Sequence, residues 1–226
     1  MNFNLDPQMI VTVMVTYIVA ITVHEFMHAW TAHMLGDDTA YHLGRISLNP
    51  AVHFDPLGFG MFLLIAVTGF GFAWGKPVPV NMYRLQPLGP FGKEGSMALV
   101  SLAGPLSNVV LALAGASSLA MGGAQLASTP FGQGLFTFVW LNLWLAAFNM
   151  IPIPPLDGYR VLLALVPAFW KPIIAGMERQ GFGILLVVVF IAPSILRAMV
   201  DPVFSAFVRL MPEPVYSSLI RQLPGF

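Results

Sequence analysis

Residues 24–28 read His24-Glu25-Phe26-Met27-His28, two imidazoles and a carboxylate within five positions. Four helical residues turn through about 400°, so His24 and His28 stack on one face, about 6 Å apart along the axis. There both can grip one zinc ion. Glu25 lies about 60° round the helix from His28, placed to act as general base on a water at the metal without being a ligand. A chance HExxH arises in roughly one chain of this length in a few hundred. Here it falls inside an apolar stretch, where ionisable side chains are costly and normally functional.

Two histidines and a water leave tetrahedral zinc one ligand short. The extended HExxHxxGxxH form is excluded, because Thr31 and Met34 occupy its glycine and third-histidine positions. His33 faces about 180° away from His24 on the helix. Glu94 borders a span beside Lys93, where a solvated charge is the plainer reading. His53 and Asp55 form an HxD pair on a loop that could approach the metal, stabilise a turn or touch a substrate. Asp157 is the strongest candidate. It is the only acidic residue between Glu94 and Glu178, follows Pro152, Pro154 and Pro155, and precedes Gly158, which permits close backbone approach. Its competing reading is an Asp-Gly turn at a helix end.

The elements that must position these groups belong to a membrane. Hydrophobic residues make up 57% of the 226 and charged residues 9%, against roughly a quarter charged in ordinary globular domains. Residues 95–156, between Glu94 and Asp157, carry no charge at all. At about 1.5 Å per helical residue, runs of this kind match a hydrocarbon core of roughly 30 Å. A soluble globular domain, a disordered tail and a nucleic-acid binder are excluded, the last for want of a basic patch. The absence of cysteine excludes disulfides, thiolate metal sites and cysteine nucleophiles.

The sequence predicts an all-α polytopic membrane protein of about four spanning helices, a re-entrant segment and short interfacial helices. The expected spans are about 8–35, 95–121, 135–151 and 182–199. A Gly/Ser-rich turn covers 122–134, a short helix 159–170, and the tail 202–226 lies at the interface. One domain is expected over 1–226, with its core at about 8–165 and an accessory part at 166–226. Arg45, Lys76, Arg84 and Lys93 fall in one polar stretch, and Arg160, Lys171 and Arg179 in another. Positive residues favour the cytoplasm, so both stretches are expected there, with the N-terminus outside and water reaching the site from the cytoplasm.

Segment 57–74 contains Gly58, Gly60, Gly69 and Gly71, which disfavours a regular helix. Parity also constrains it. The histidine pair lies near the C-terminal end of the first span, and Asp157 follows the C-terminal end of span 135–151. If both belong to one metal, these spans run in the same direction and only one span can separate them. Segment 57–74 is therefore expected to enter and leave on one side.

Together with HEFMH, the runs Ala103-Gly104-Pro105-Leu106-Ser107-Asn108 and Asn149-Met150-Ile151-Pro152-Ile153-Pro154-Pro155-Leu156-Asp157-Gly158 resemble the site-2 protease family of intramembrane zinc metalloproteases. The stretch Gly44–Pro50 with His53 and Asp55-Pro56, and the stretch Trp74–Asn81, are similar to its compact prokaryotic branch without a PDZ or CBS domain. The resemblance covers about residues 20–165 and matches the pattern NxxPxPxLDG at every specified position. It implies an intramembrane zinc metalloendopeptidase with one zinc per chain, held by His24, His28 and Asp157, with Glu25 as catalytic base. Asn149 matches the family asparagine near the metal, either catalytic through the oxyanion or substrate backbone, or a packing amide. Asn108 is expected to make an interhelical hydrogen bond. The implied partners are the lipid bilayer and a transmembrane protein substrate, whose unwound backbone could dock along Pro77–Val80. The alternative is a zinc-binding transporter or an inactive scaffold. A transporter should carry further intramembrane carboxylates or histidines, and after residue 55 only Asp157 stands at a span border.

Overall fold

The computed structural model describes residues 7–68, 73–213 and 215–220. Asp6, Gly69, Gly71 and Arg221 lie outside them. Among the described residues the secondary structure is helical throughout. It runs α1 (Pro7–Met34), α2 (Thr39–His42), α3 (Pro56–Thr68), α4 (Gly92–Ala127), α5 (Pro130–Asn149), α6 (Asp157–Leu165), α7 (Lys171–Ala175), α8 (Gly181–Phe190), α9 (Pro193–Val208) and α10 (Val215–Ile220), with short 3-10 turns between. Helices α1, α4 and α5 are long and apolar enough to cross a membrane. A fourth span arises if the segments Lys171–Arg179 and Gly181–Phe190, bent by 75°, count as one. This is a multi-pass membrane protein.

Helix α4 is the central post. It packs antiparallel to α1, since His28 meets Val100 while His24, one turn earlier, meets Asn108. It is also antiparallel to α5, where Asn108 meets Asn142 and Gly115 lies against Val139. Helices α1 and α5 are therefore parallel. Small residues of α4, Ala112, Gly115 and Ala116, let its backbone approach α5 closely, the usual source of helix association where lipid is as apolar as the side chains. Leu143 and Phe148 of α5 continue this core towards Leu185 of α8 and Phe204 of α9.

Segment 54–75 is closed on itself. The Lys76 N–H donates to the His53 carbonyl at 2.8 Å, and Gly58 at the start of α3 lies directly against the Trp74 carbonyl. The chain thus returns to where it left. Helix α3 has 13 residues, about 20 Å, short of a roughly 30 Å hydrocarbon core. Its glycines do not prevent a regular helix, because Asp55 caps it through the Gly58 N–H at 2.7 Å and Phe62 stacks on Tyr17 of α1.

Three expectations change. The turn expected at 122–134 is in part helical: the chain kinks at Gly123 (φ 60°, ψ −159°) within α4, runs on as helix to Ala127, and starts α5 after Ser128 and Thr129, where the Thr129 hydroxyl accepts the Gly132 N–H and Pro130 suits the first turn. The expected span 182–199 is broken: Pro193 forces Ala192 out of helical geometry, at φ −124° and ψ 56°, so α8 ends and α9 begins. The tail is not simply interfacial, since Phe204 and Val208 of α9 and Met211 beyond it are buried in the core, Phe204 beside Trp140.

Candidate metal centre

The parallel course of α1 and α5 brings the end of α5 level with the histidines. Pro152, Pro154 and Pro155 prevent further helix, and the chain doubles back so tightly that Gly158 lies against the Met150 carbonyl. A Cβ at 158 would stand 2.1 Å from that oxygen, so only glycine fits. This reversal begins α6 with Asp157 beside His24 and His28.

Three ligand atoms converge. The Nε2 atoms of His24 and His28 are 3.0 Å apart, and Asp157 Oδ2 lies 3.2 Å from the first and 3.3 Å from the second. Zinc bonds of 2.0–2.1 Å in tetrahedral geometry require ligand atoms roughly 3.3 Å apart. The spacing fits a metal ion.

The hydrogen bonds behind the ligands fix their chemistry. His28 Nδ1 donates to the Val100 carbonyl at 2.8 Å. His24 Nδ1 donates to Asn108 Oδ1 at 2.7 Å, and that oxygen is identified because Asn108 Nδ2 donates both to the Ala20 carbonyl and to Asn142 Oδ1. Asn142 is oriented in turn by donating to the Phe138 carbonyl. With both Nδ1 atoms donating away from the site, the Nε2 atoms face each other and Asp157 Oδ2, a buried oxygen with no other hydrogen-bond partner. A metal ion among these three atoms would satisfy all of them at once.

Helix α4 also supplies the floor. Gly104 lies flat beneath both rings, and a Cβ there would come within 2.7 Å of each. Neither Gly104 nor the Val100 carbonyl was identifiable from residue chemistry, although Gly104 belongs to the Ala103–Asn108 run. Asn108 makes its expected interhelical bond, and beyond that it orients a candidate ligand.

Glu25 is buried beside the triad and accepts the Val78 N–H on Oε2 at 3.0 Å. The strap Lys76–Asn81 crosses the site at this point. Together with the triad, Glu25 and Asn149 it lines a cavity of about 510 Å³. Asn149 donates through Nδ2 to the carbonyl of Leu145 in its own helix.

The remaining candidates lie elsewhere. His33 pairs with Asp38 and stacks on Tyr41. Glu94 pairs with Lys171. Asp55 caps α3, and His53 is buried behind the strap, donating to the Ser47 carbonyl. Among the described residues, His24, His28 and Asp157 form the one cluster of three metal-ligating side chains.

Residues 114–192 match Peptidase family M50. Three relatives share the printed name "Putative zinc metalloprotease". YwhC of Bacillus subtilis is 43% identical over 187 residues, covering 79% of this chain and 80% of the relative. Rip2 of Mycolicibacterium smegmatis is 30% identical over 203 residues, 87% of this chain and 73% of its own. MJ0611 of Methanocaldococcus jannaschii is 34% identical over 167 residues, 70% and 71% respectively. No solved structure matches.

Proposed function

This chain belongs to peptidase family M50 and is a zinc metalloprotease, and on that premise we propose that it hydrolyses peptide bonds of membrane-spanning substrates inside the bilayer. The observation that carries this reading is the convergence of two Nε2 atoms and one otherwise unpartnered carboxylate oxygen beside Glu25, in a cavity walled by membrane helices. In it His24, His28 and Asp157 hold one zinc ion. When bound, zinc acts as a Lewis acid that brings the pKa of water to about 7 and polarises a carbonyl.

Glu25 moves the protons. Its Oε2 is held by the Val78 N–H, which leaves Oε1 to take a proton from the attacking water and return it to the amine nitrogen as the C–N bond breaks. Asn149 keeps one N–H on Leu145; its second N–H and its Oδ1 serve the developing oxyanion or the substrate backbone. A helical peptide bond is shielded, so the substrate unwinds at the site and its freed groups need partners. The Val78 carbonyl and both backbone groups of Val80 carry no hydrogen bond within the described residues, and they supply such an edge. The N-terminus faces outside and the cavity opens to the cytoplasm, in keeping with the basic residues flanking α3 and α6. A transporter would need further ligating groups leading away from the triad, and among the described residues the triad is the one cluster of three such side chains.

Glu25→Gln tests the mechanism. The purified variant should keep one zinc per chain, while cleavage of a transmembrane peptide falls by about 10²–10⁴-fold for want of the base. Full cleavage with Gln at this position would refute it.

A further inference from the structure

Arg45 is 5% exposed, and no carboxylate among the described residues lies within ion-pairing distance of it. A buried guanidinium without a counter-charge is costly, and packing alone gives no reason for it. Its donors go to the strap. Nη2 donates to the Lys76 carbonyl at 2.5 Å and Nη1 to the Pro77 carbonyl at 3.1 Å. Nη2 also reaches His53 Nδ1 at 3.4 Å. Burial holds the His53 imidazole below its ordinary pKa. It is neutral, with its one N–H on Ser47, and Nδ1 is therefore an acceptor for Arg45.

The Pro77 carbonyl and the Val78 N–H belong to one peptide group. That peptide is trans, so its oxygen and its hydrogen point in opposite directions. The oxygen faces Arg45 and the hydrogen faces Glu25 Oε2. The guanidinium and the carboxylate are thus linked through one peptide group, in which each hydrogen bond polarises and strengthens the other. The far end of the strap is also fixed, since Asn81 N–H donates to buried Asp37 at 2.6 Å. Prolines at 77 and 79 restrict the backbone between.

We propose that Arg45 is a positioning residue for proteolysis: by holding the Pro77–Val78 peptide it fixes which carboxylate oxygen of Glu25 is tied to the Val78 N–H and which faces the substrate. The proposal rests on Glu25 as the base, but its structural half stands on its own. Arg45→Lys is the first test, since an ammonium cannot hold both carbonyls in the fork of a guanidinium. The full zinc-loaded chain in nanodiscs is followed by hydrogen exchange, zinc content and cleavage of a transmembrane peptide.

The stretch 76–81 has four exchangeable amides, at Lys76, Val78, Val80 and Asn81. In the wild type only Val80 should exchange fast. In Arg45→Lys the Val78 amide should exchange at least tenfold faster, with Asn81 unchanged. In the same variant kcat should fall about tenfold, with KM within twofold and zinc still at one per chain. Arg45→Met should move each readout further in the same direction, and His53→Leu, which removes the Nδ1 acceptor, should move them less. Wild-type protection of Val78 together with unchanged kcat would overturn the proposal. So would zinc loss with exchange rising across α1 and α4, which would mark a merely structural role. Should the wild type cleave nothing, the protease reading fails, while exchange at Val78 still decides whether Arg45 holds the strap.

Discussion

Replacing Gly104 by alanine tests whether the two imidazoles are seated on α4. A Cβ at 104 would stand 2.5 Å from His28 Nε2, 2.6 Å from His28 Cε1 and 2.7 Å from His24 Cε1. Carbon contacts are comfortable at about 3.5–4.0 Å, so both rings must retreat by about 1 Å. Retreat carries them away from α4 and stretches the Nδ1 bonds to Val100 and Asn108, now 2.8 and 2.7 Å, beyond hydrogen-bonding range. Metal sites tolerate about 0.2 Å in ligand placement, and loss of one supporting hydrogen bond costs about 10–100-fold in affinity. With both rings displaced, zinc affinity should fall at least about 100-fold, or about 2.8 kcal/mol. Helix propensity offsets only part of this, alanine being better than glycine by about 0.8–1 kcal/mol in a helix interior, while each buried group left without its hydrogen bond costs about 1–3 kcal/mol. The metal-free variant should therefore melt below the metal-free wild type, and the thermal gain on adding zinc should shrink as well. Competition with a chromophoric chelator, with melting curves in zinc and in chelator, measures both. Zinc affinity within threefold of wild type would show that the rings are not seated on Gly104, and the reasoning would fail.

Asn108→Leu leaves the His24 Nδ1 proton without an acceptor and should weaken zinc about 10–100-fold in the same chelator assay; unchanged affinity would remove Asn108 from the metal's support. The absence of cysteine allows topology to be read by labelling. Arg45 is too buried for a probe, but Leu48, Tyr83 and Met121 are exposed. Cysteines at 48 and 83 should react from the cytoplasmic face and one at 121 from the other. Labelling of 48 and 83 from opposite faces would defeat the closed excursion between them.

How far the sequence revealed this site depends on how each residue's contribution is encoded. His24, Glu25 and His28 were legible because helical spacing alone places them on neighbouring rows. Asp157 was legible because a carboxylate after a long uncharged stretch, between prolines and a glycine, has few other uses. The support behind them was not. Val100 acts through a carbonyl that every residue carries, and Gly104 through the atoms it lacks. Each lies more than seventy residues from the histidine it serves, with no periodic signal linking them. Arg45 counted only as a positive charge in a cytoplasmic stretch, since nothing local shows that its guanidinium turns inward to the strap. The break at Pro193 was readable from the proline itself, but the long apolar run around it dominated the reading.

The path of the chain and the chemistry impose one requirement on each other. His24 and His28 lie towards the end of α1, and Asp157 directly follows the turn after α5, so a shared metal demands that these helices point the same way. Their parallel course follows from the two antiparallel contacts each makes with α4, and among the described residues α4 is the one helix between them long and apolar enough to cross a membrane. Any segment between α1 and α4 must then come back to the end of α1 from which it departed. Segment 54–75 does so, tied at its mouth by the Lys76–His53 hydrogen bond. Because that mouth opens at the level of the histidines, the residues following it, 76–81, have to pass over the end of α1. The strap therefore crosses Glu25 as a consequence of the parity that unites the three ligand atoms. A second crossing inserted between α1 and α5 would lose both the Val78–Glu25 contact and the ligand from Asp157.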